Sequence, residues 1–297
     1  MRWNVVELSK NGLYVKLYRG FLLVMEGEHE LGRVIVDEMN CLIVSAEQAT
    51  LSKPVIVRLT EHGVPVVMCG KNYHPISITL PYGHHHQMTK VLNAQVHASK
   101  PVKKRIWKQL VIRKIEQQQA VLKHCVPASK ALNALSRLAT KVKSGDPENI
   151  EAQAARLYWR ELLGNEFRRV QASEQGVNAA LNYGYTIMRA ACARAVVAAG
   201  LLPALGVQHS NMNNAFCLVD DLMEIYRPLV DCIVYSLDVT DDLNPEHKRL
   251  LVALLQADID SLEQITTVNS SMQNLAFSLV KVYYENEPKL ALPKLRL

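Results

Sequence analysis

The chemistry-bearing residues of this chain crowd together at Asp220, Asp221 and Glu224, with Asp231 two further turns along if one helix runs from Phe216 through Pro228. Asp221 and Glu224 are three apart, so on a helix both can point to one side. Packed carboxylates repel, and a divalent cation relieves that repulsion. An acidic first turn that complements a helix dipole is the plainer reading of the same residues. Upstream, His209 sits in the Gly- and Asn-rich stretch Gly206 to Asn214, where an imidazole either reaches a shared centre or is merely solvated. Glu151 is the third candidate. A Glu, a His and a further acid suit Mg²⁺ or Mn²⁺ working on phosphate oxygens, and Mn²⁺ tolerates imidazole well. The chain has no HExxH, Walker A loop or GxSxG, which removes support for metalloprotease, nucleotide hydrolase and esterase chemistry. Spacing alone does not join Glu151 to His209, 58 residues away.

The elements that must position these groups are legible. The helix of Glu151 has a start signal in Asp146 as a cap, Pro147 at a first helical position and Glu148 facing the dipole. Helical apolar spacing predicts helices over 106–126, 130–142, 150–163 and 177–199. The last ends where Gly200 can turn left-handed and Pro203 blocks continuation. Residues 1–87 read instead as a β-rich domain. Strand-like runs occur at Trp3–Leu8, Tyr14–Tyr18, Phe21–Glu26, Gly32–Val36, Leu42–Val44, Val64–Cys69 and Ile76–Leu80, several separated by turn signals such as Asn11-Gly12 and Arg19-Gly20. One helix is expected inside Thr50–His62, from Leu51, Val55 and Leu59. The fold class expected is therefore α+β multidomain, an N-terminal β-sandwich-like domain followed by a larger, almost all-α catalytic domain over 88–297.

Charge adds a third strand of argument. The chain carries +6 overall, yet between His97 and Gly145 twelve Lys and Arg face a single acid, Glu116, so the remainder is net acidic. Such a block fits a polyanion surface, each cation releasing counterions from a phosphate, or a solvated helix face. Six dispersed cysteines without a CxxC pair read as reduced, mostly buried thiols. No apolar run nears the roughly 20 residues of a membrane span and no signal-peptide core follows Met1, so a cytoplasmic protein with no membrane role is expected. His84-His85-His86 is a metal tract or a polar domain junction. Tyr183-Gly184-Tyr185 is a base-stacking platform or core.

Three ordered segments carry a family likeness. Gly145 through Glu151 to Trp159, Leu181-Asn182-Tyr183-Gly184-Tyr185 through Gly206-Val207-Gln208-His209, and Phe216 through Asp221-Leu222-Met223-Glu224 to Asp231 resemble the signatures of the CRISPR-associated integrase that captures new spacers. The likeness extends over the β region and the helix of Trp107 to Ala120, with a type II flavour. It implies Glu151, His209 and Glu224 as metal ligands and catalytic residues, with Asp221 beside them assisting or holding a second ion. It also implies Mg²⁺ or Mn²⁺ as cofactor, and homodimers, two of which are bridged by a dimer of a small adaptation partner protein into a heterohexamer. Ala152 stands where many relatives have Gly, a change a helix favours.

The reaction implied is attack of a 3′-hydroxyl of a double-stranded protospacer fragment on a phosphodiester of the CRISPR repeat, with Lys103, Lys104 and Arg105 holding the DNA backbone irrespective of sequence. Two other readings stand beside it: a metal-dependent nuclease acting by hydrolysis, and a non-catalytic DNA-binding scaffold.

Overall fold

The computed structural model describes all residues except 1–3, 71–74, 82–86, 172, 174, 238, 240, 241 and 286–288. The strand-rich half comprises β1 (Asn4–Leu8), β2 (Leu13–Tyr18), β3 (Phe21–Glu26), β4 (His29–Ile35), β5 (Met39–Val44), β6 (Ala49–Leu51), α1 (Lys53–Glu61), β7 (Val66–Cys69) and β8 (Pro75–Thr79). Two four-stranded sheets result, ordered β1-β5-β7-β8 and β4-β3-β2-β6. Inward-facing Leu8, Leu42, Val44 and Val66 of the first meet Leu13, Val15 and Leu22 of the second, with Val55 and Leu59 of α1 in the same core. The seven expected strands and the embedded helix are present within a few residues. The eighth strand, β6, was hidden in the N-terminal part of the stretch expected to be helical.

The helical half follows: α2 (Met88–His97), α3 (Lys100–Cys125), α4 (Leu132–Lys141), α5 (Ile150–Leu163), α6 (Gly176–Ala198), α7 (Cys217–Met223), α8 (Arg227–Ser236), α9 (Pro245–Ala253), β9 (Asp258–Ser261), β10 (Gln264–Thr267), α10 (Val268–Glu285) and β11 (Lys294–Leu295). The all-α expectation needs correction here, because β10-β9-β11 form a small antiparallel sheet. Its hairpin turns on Leu262 and Glu263, at φ 52° and 61°. Tight hairpins usually place Asn or Gly at such positions, so no turn signal marked it. A second correction concerns the acidic segment. The helix does not run from Phe216 through Pro228; it breaks after Met223 and restarts at Arg227, with Pro228 in its first turn.

The two halves share a layer. Every residue of β5 is buried, and while Leu42 and Val44 face the sandwich core, Cys41 and Ile43 join the core of the helical half. Glu7 on β1 accepts hydrogen bonds from Tyr183 (3.0 Å) and Lys248 (2.9 Å) of the helical half. Within that half, α6 is buried nearly all round and passes α8 at Gly184, where a Cβ would lie 2.4 Å from Val230 Cγ1. Among the described residues no helix is long and apolar enough to cross a membrane. His84, His85 and His86 lie outside the described residues. All six cysteines are free thiols, four of them buried.

Gly184→Ala should overpack this crossing and cost about 1–3 kcal/mol. Thermal unfolding would show it as a lowered Tm, with part of the loss recovered in the Gly184→Ala/Val230→Ala double variant.

Candidate active site

Glu151 is delivered by a turn rather than by an ordinary helix start. Gly145, Asp146 and Asn149 all have left-handed φ values (77°, 48° and 51°). The Asp146 carboxylate reaches forward to accept from the backbone N–H of Ile150 and of Glu151, each at 2.9 Å. The expected cap is therefore real, although the helix begins at Ile150 and Pro147 and Glu148 lie in the turn before it. The turn docks on α3: the Gly145 N–H donates to Lys104 O at 3.0 Å, and a Cβ at Gly145 would stand 2.9 Å from the Lys104 stem.

His209 is held by Asp221. This fully buried carboxylate accepts from the backbone N–H of Val207 (2.6 Å), Gln208 (3.0 Å) and His209 (3.3 Å), and from His209 Nδ1 at 2.6 Å. Gly206 is obligatory at the mouth of the loop, since a Cβ there would fall 2.2 Å from His209 O and 2.9 Å from Asp221 Oδ2. Asp220 secures the far end: Arg189 grips it bidentately at 2.7 Å, and Asn214 donates to it at 2.7 Å. The hydrogen bond from Asp221 raises the His209 pKa above its ordinary value, against the effect of burial, and the charges of Asp221, Glu224 and Glu151 add to the rise. A carboxylate can only accept, so Nδ1 carries the proton and Nε2 of the neutral ring is left as the acceptor. The Trp107 ring meets the imidazole edge-on, centroids 5.8 Å apart.

Glu224, at the break between α7 and α8, completes the set. Lys114 of α3 lies between the two glutamates, its Nζ 2.6 Å from Glu151 Oε1 and 2.6 Å from Glu224 Oε2. Arg227 Nε stands 2.9 Å from Glu224 Oε1, an ion pair without hydrogen-bond alignment. Burial alone would raise the Glu224 pKa, but the Arg227 and Lys114 charges outweigh it and hold the carboxyl below the ordinary range. Burial likewise works to neutralise Lys114, and the charges of Glu224 and Glu151 overcome it, leaving the ammonium firmly protonated. One turn on, Gln117 donates to Ile225 O at 3.0 Å and fixes the break that aims Glu224.

The structure thus brings Glu151 and Glu224 onto one cation, while His209 is held separately by Asp221. Among the described residues no three His, Cys, Asp or Glu side chains stand grouped so as to hold a metal ion; between Glu151 and Glu224 stands the Lys114 ammonium. The donor set nonetheless fits a hard divalent ion: two carboxylates and an imidazole whose tautomer is set by a buried acid. Asp221 has both oxygens engaged by the 207–209 turn, and Asp220 is committed to Arg189 and Asn214. Asp231 is separate from these acids. It is buried against Tyr185 and Tyr158, whose hydroxyls donate to it, and burial pushes it up to about 7. Tyr183 and Tyr185 are core residues, at 2% and 7% exposure, rather than a stacking platform. Lys103, Lys104 and Arg105 lie in the first two turns of α3, the latter two exposed.

Sequence reasoning missed Lys114, Arg189 and Arg227. Lys114 did carry a signal: it falls at helical spacing with the buried Trp107, Leu110, Gln118 and Val121, a lysine on an apolar stripe.

Comparison with known proteins places these motifs. The family model for CRISPR associated protein Cas1 matches residues 6–250. A CRISPR-associated endonuclease Cas1 from Neisseria meningitidis serogroup C is 34% identical over 99% of this chain and 97% of its own length. One from Thermus thermophilus is 28% identical over 82% and 78%. Among solved structures, a casposase bound to integration product superposes with a TM-score of 0.80 at 21% identity, covering 98% of this chain and 93% of that one. A Cas1 protein from Thermotoga maritima gives 0.76 at 17% identity, over 95% and 97%. At these identities the structures establish the shared fold.

Two outcomes follow from the local bonding. Asp221→Asn leaves backbone donors of the 207–209 turn unpaired, at about 1–3 kcal/mol for a buried group, so hydrogen exchange at Val207 and Gln208 should accelerate and Tm should fall. For Asp231, the folded chain keeps its proton up to about pH 7, whereas the unfolded chain releases it near the ordinary carboxylate value. The folded state therefore binds more protons between those limits, and stability declines as pH rises through them. Denaturant unfolding between pH 5 and 7 should show this slope flattened in Asp231→Asn.

Proposed function

The chain belongs to the Cas1 family of CRISPR-associated proteins, and on that premise we propose that it is a metal-dependent endonuclease and integrase of CRISPR adaptation. It inserts short foreign DNA fragments into the CRISPR array by attack of a fragment's 3′-hydroxyl on a repeat phosphodiester. The observation that carries this reading is the convergence of Glu151 and Glu224 on one cation beside His209.

Glu151 and Glu224 would supply anionic oxygens and His209 a neutral Nε2 to Mg²⁺ or Mn²⁺. The bound ion would favour ionisation of the attacking hydroxyl and offset charge developing on the phosphoryl oxygens. Asp221 keeps the proton of His209 on Nδ1 and so keeps Nε2 aimed outward. Arg227 and Lys114 keep Glu224 ionised despite burial. Asp146 holds the first turn of α5 and, with it, the Glu151 backbone. No covalent link to the protein is required, because the hydroxyl displaces the phosphodiester directly.

Lys103, Lys104 and Arg105 would hold DNA backbone, at a helix end whose dipole disfavours cations and whose phosphate ligand would reverse that cost. Partners follow from the family. The substrates would be double-stranded protospacer fragments and the CRISPR repeat, and the assembly two homodimers bridged by a dimer of a small adaptation protein into a heterohexamer, in the cytoplasm of a cell with a type II system. A relative of this fold has been solved within a Cas6-RT-Cas1–Cas2 complex, TM-score 0.79 at 19% identity.

The test is a joining assay with labelled duplex and a repeat-containing plasmid. Glu151→Ala or His209→Ala should reduce joined product by at least about 100-fold, the scale of losing a transition-state charge stabiliser, with circular dichroism and DNA binding retained. Full joining by either variant would count against the assignment, and cut plasmid without joined product would mean hydrolysis with water as nucleophile.

A further inference from the structure

Resting on the metal-centre reading above, we propose that Lys114 is a built-in substitute cation, occupying the place of the divalent ion in the metal-free protein and leaving it when the ion enters. Its ammonium donates to Glu151 Oε1 and is ion-paired at 2.6 Å with Glu224 Oε2, one oxygen from each of the two carboxylates that would bind the ion. The Lys114 side chain is 12% exposed, and that of Glu224 is 11% exposed. In such surroundings two uncompensated carboxylates repel strongly and neither can be left without a partner. The ammonium therefore holds the two carboxylates side by side before any ion arrives. The same oxygens cannot serve both occupants: an ammonium and a divalent ion sharing them would stand as close like charges in a medium of low dielectric. Arginine would be a poor choice for this role, because its planar guanidinium makes fixed bidentate pairs. Lysine carries a point charge on a flexible four-carbon stem, long enough to withdraw without moving α3.

The other cation at Glu224 behaves differently. Arg227 contacts the opposite oxygen, Oε1, and its guanidinium stacks 4.8 Å from the centroid of the Tyr185 ring. It stays where it is while Lys114 exchanges. Lys114 is thus a positioning residue that sets ion affinity by competition: the site is preorganised without metal, and part of the binding free energy of the ion goes into displacing the ammonium.

Mn²⁺ titration calorimetry on the purified full chain, DNA absent, tests this. Lys114→Met should bind Mn²⁺ at least about tenfold more tightly than the natural protein, and Lys114→Arg no more tightly. Without ion, Lys114→Met should melt lower, and Mn²⁺ should raise its Tm by more than it raises that of the natural chain. A purely structural lysine would give the lower Tm without the tighter ion. Folded Lys114→Met with unchanged or weaker Mn²⁺ affinity overturns the proposal. If neither protein shows Mn²⁺ binding that Glu224→Ala abolishes, the metal centre itself is wrong. An independent measurement uses the natural sequence alone: acylation of Lys114 by an amine-reactive reagent, followed by mass spectrometry, should quicken several-fold on saturation with Mn²⁺. An unchanged rate overturns the proposal regardless of how the variants fold.

Discussion

Two carboxylates cannot sit ionised beside each other in a protein interior without a cation between them, and the helical half of this chain is arranged around that constraint. Lys114 supplies the cation from α3, the long central helix. Glu151 comes from the first turn of α5 and Glu224 from the break between α7 and α8. Each approach depends on an irregularity: a left-handed turn at 145–149, an interruption at 224–226, a glycine-mouthed loop at 206–209. Regular helices alone would not present Glu151, Glu224 and His209 as they stand here. The irregular backbone is in turn satisfied by buried polar side chains, Asp146, Gln117 and Asp221, each bonded to the main-chain groups that the helix ends leave open.

The acids of this half divide into distinct roles by what surrounds them. Asp220 and Asp221 are adjacent and share nothing: one meets a guanidinium and an amide, the other three backbone donors and an imidazole. Asp231 lies among tyrosines where burial favours its neutral form. Glu151 and Glu224 share a single lysine ammonium. With His209 they are the residues we propose for a cation centre, in a chain that belongs to the Cas1 family of CRISPR-associated proteins.

How much of this could be read from the sequence depended on whether the signal was local. Strands β1 to β5, β7 and β8 were visible as apolar runs between turns, and α5 and α6 as periodic stretches with their stop and start residues. The hairpin β9-β10 was invisible because Leu262 and Glu263 adopt left-handed φ without Asn or Gly. The break before Arg227 was ambiguous because Pro228 is as acceptable in a first helical turn as it is disruptive later. At the site, the acids and His209 were found by type, but their convergence is a matter of tertiary packing that spacing does not encode; family resemblance supplied it. Lys114 was counted within the basic block between His97 and Gly145 and taken for a surface charge. Its position on the buried stripe of α3 set it apart from Lys103, Lys104 and Arg105.

Glu151, His209 and Glu224 are proposed to form one cation centre in the folded chain. Crystals grown without metal and soaked in Mn²⁺ offer the most direct test, through anomalous scattering at the manganese edge. The account predicts a single strong peak in contact with both carboxylates and His209 Nε2, with the Lys114 ammonium withdrawn from between them. A saturating soak that leaves Lys114 bridging the two glutamates, with no peak there or with manganese bound only elsewhere, would contradict it.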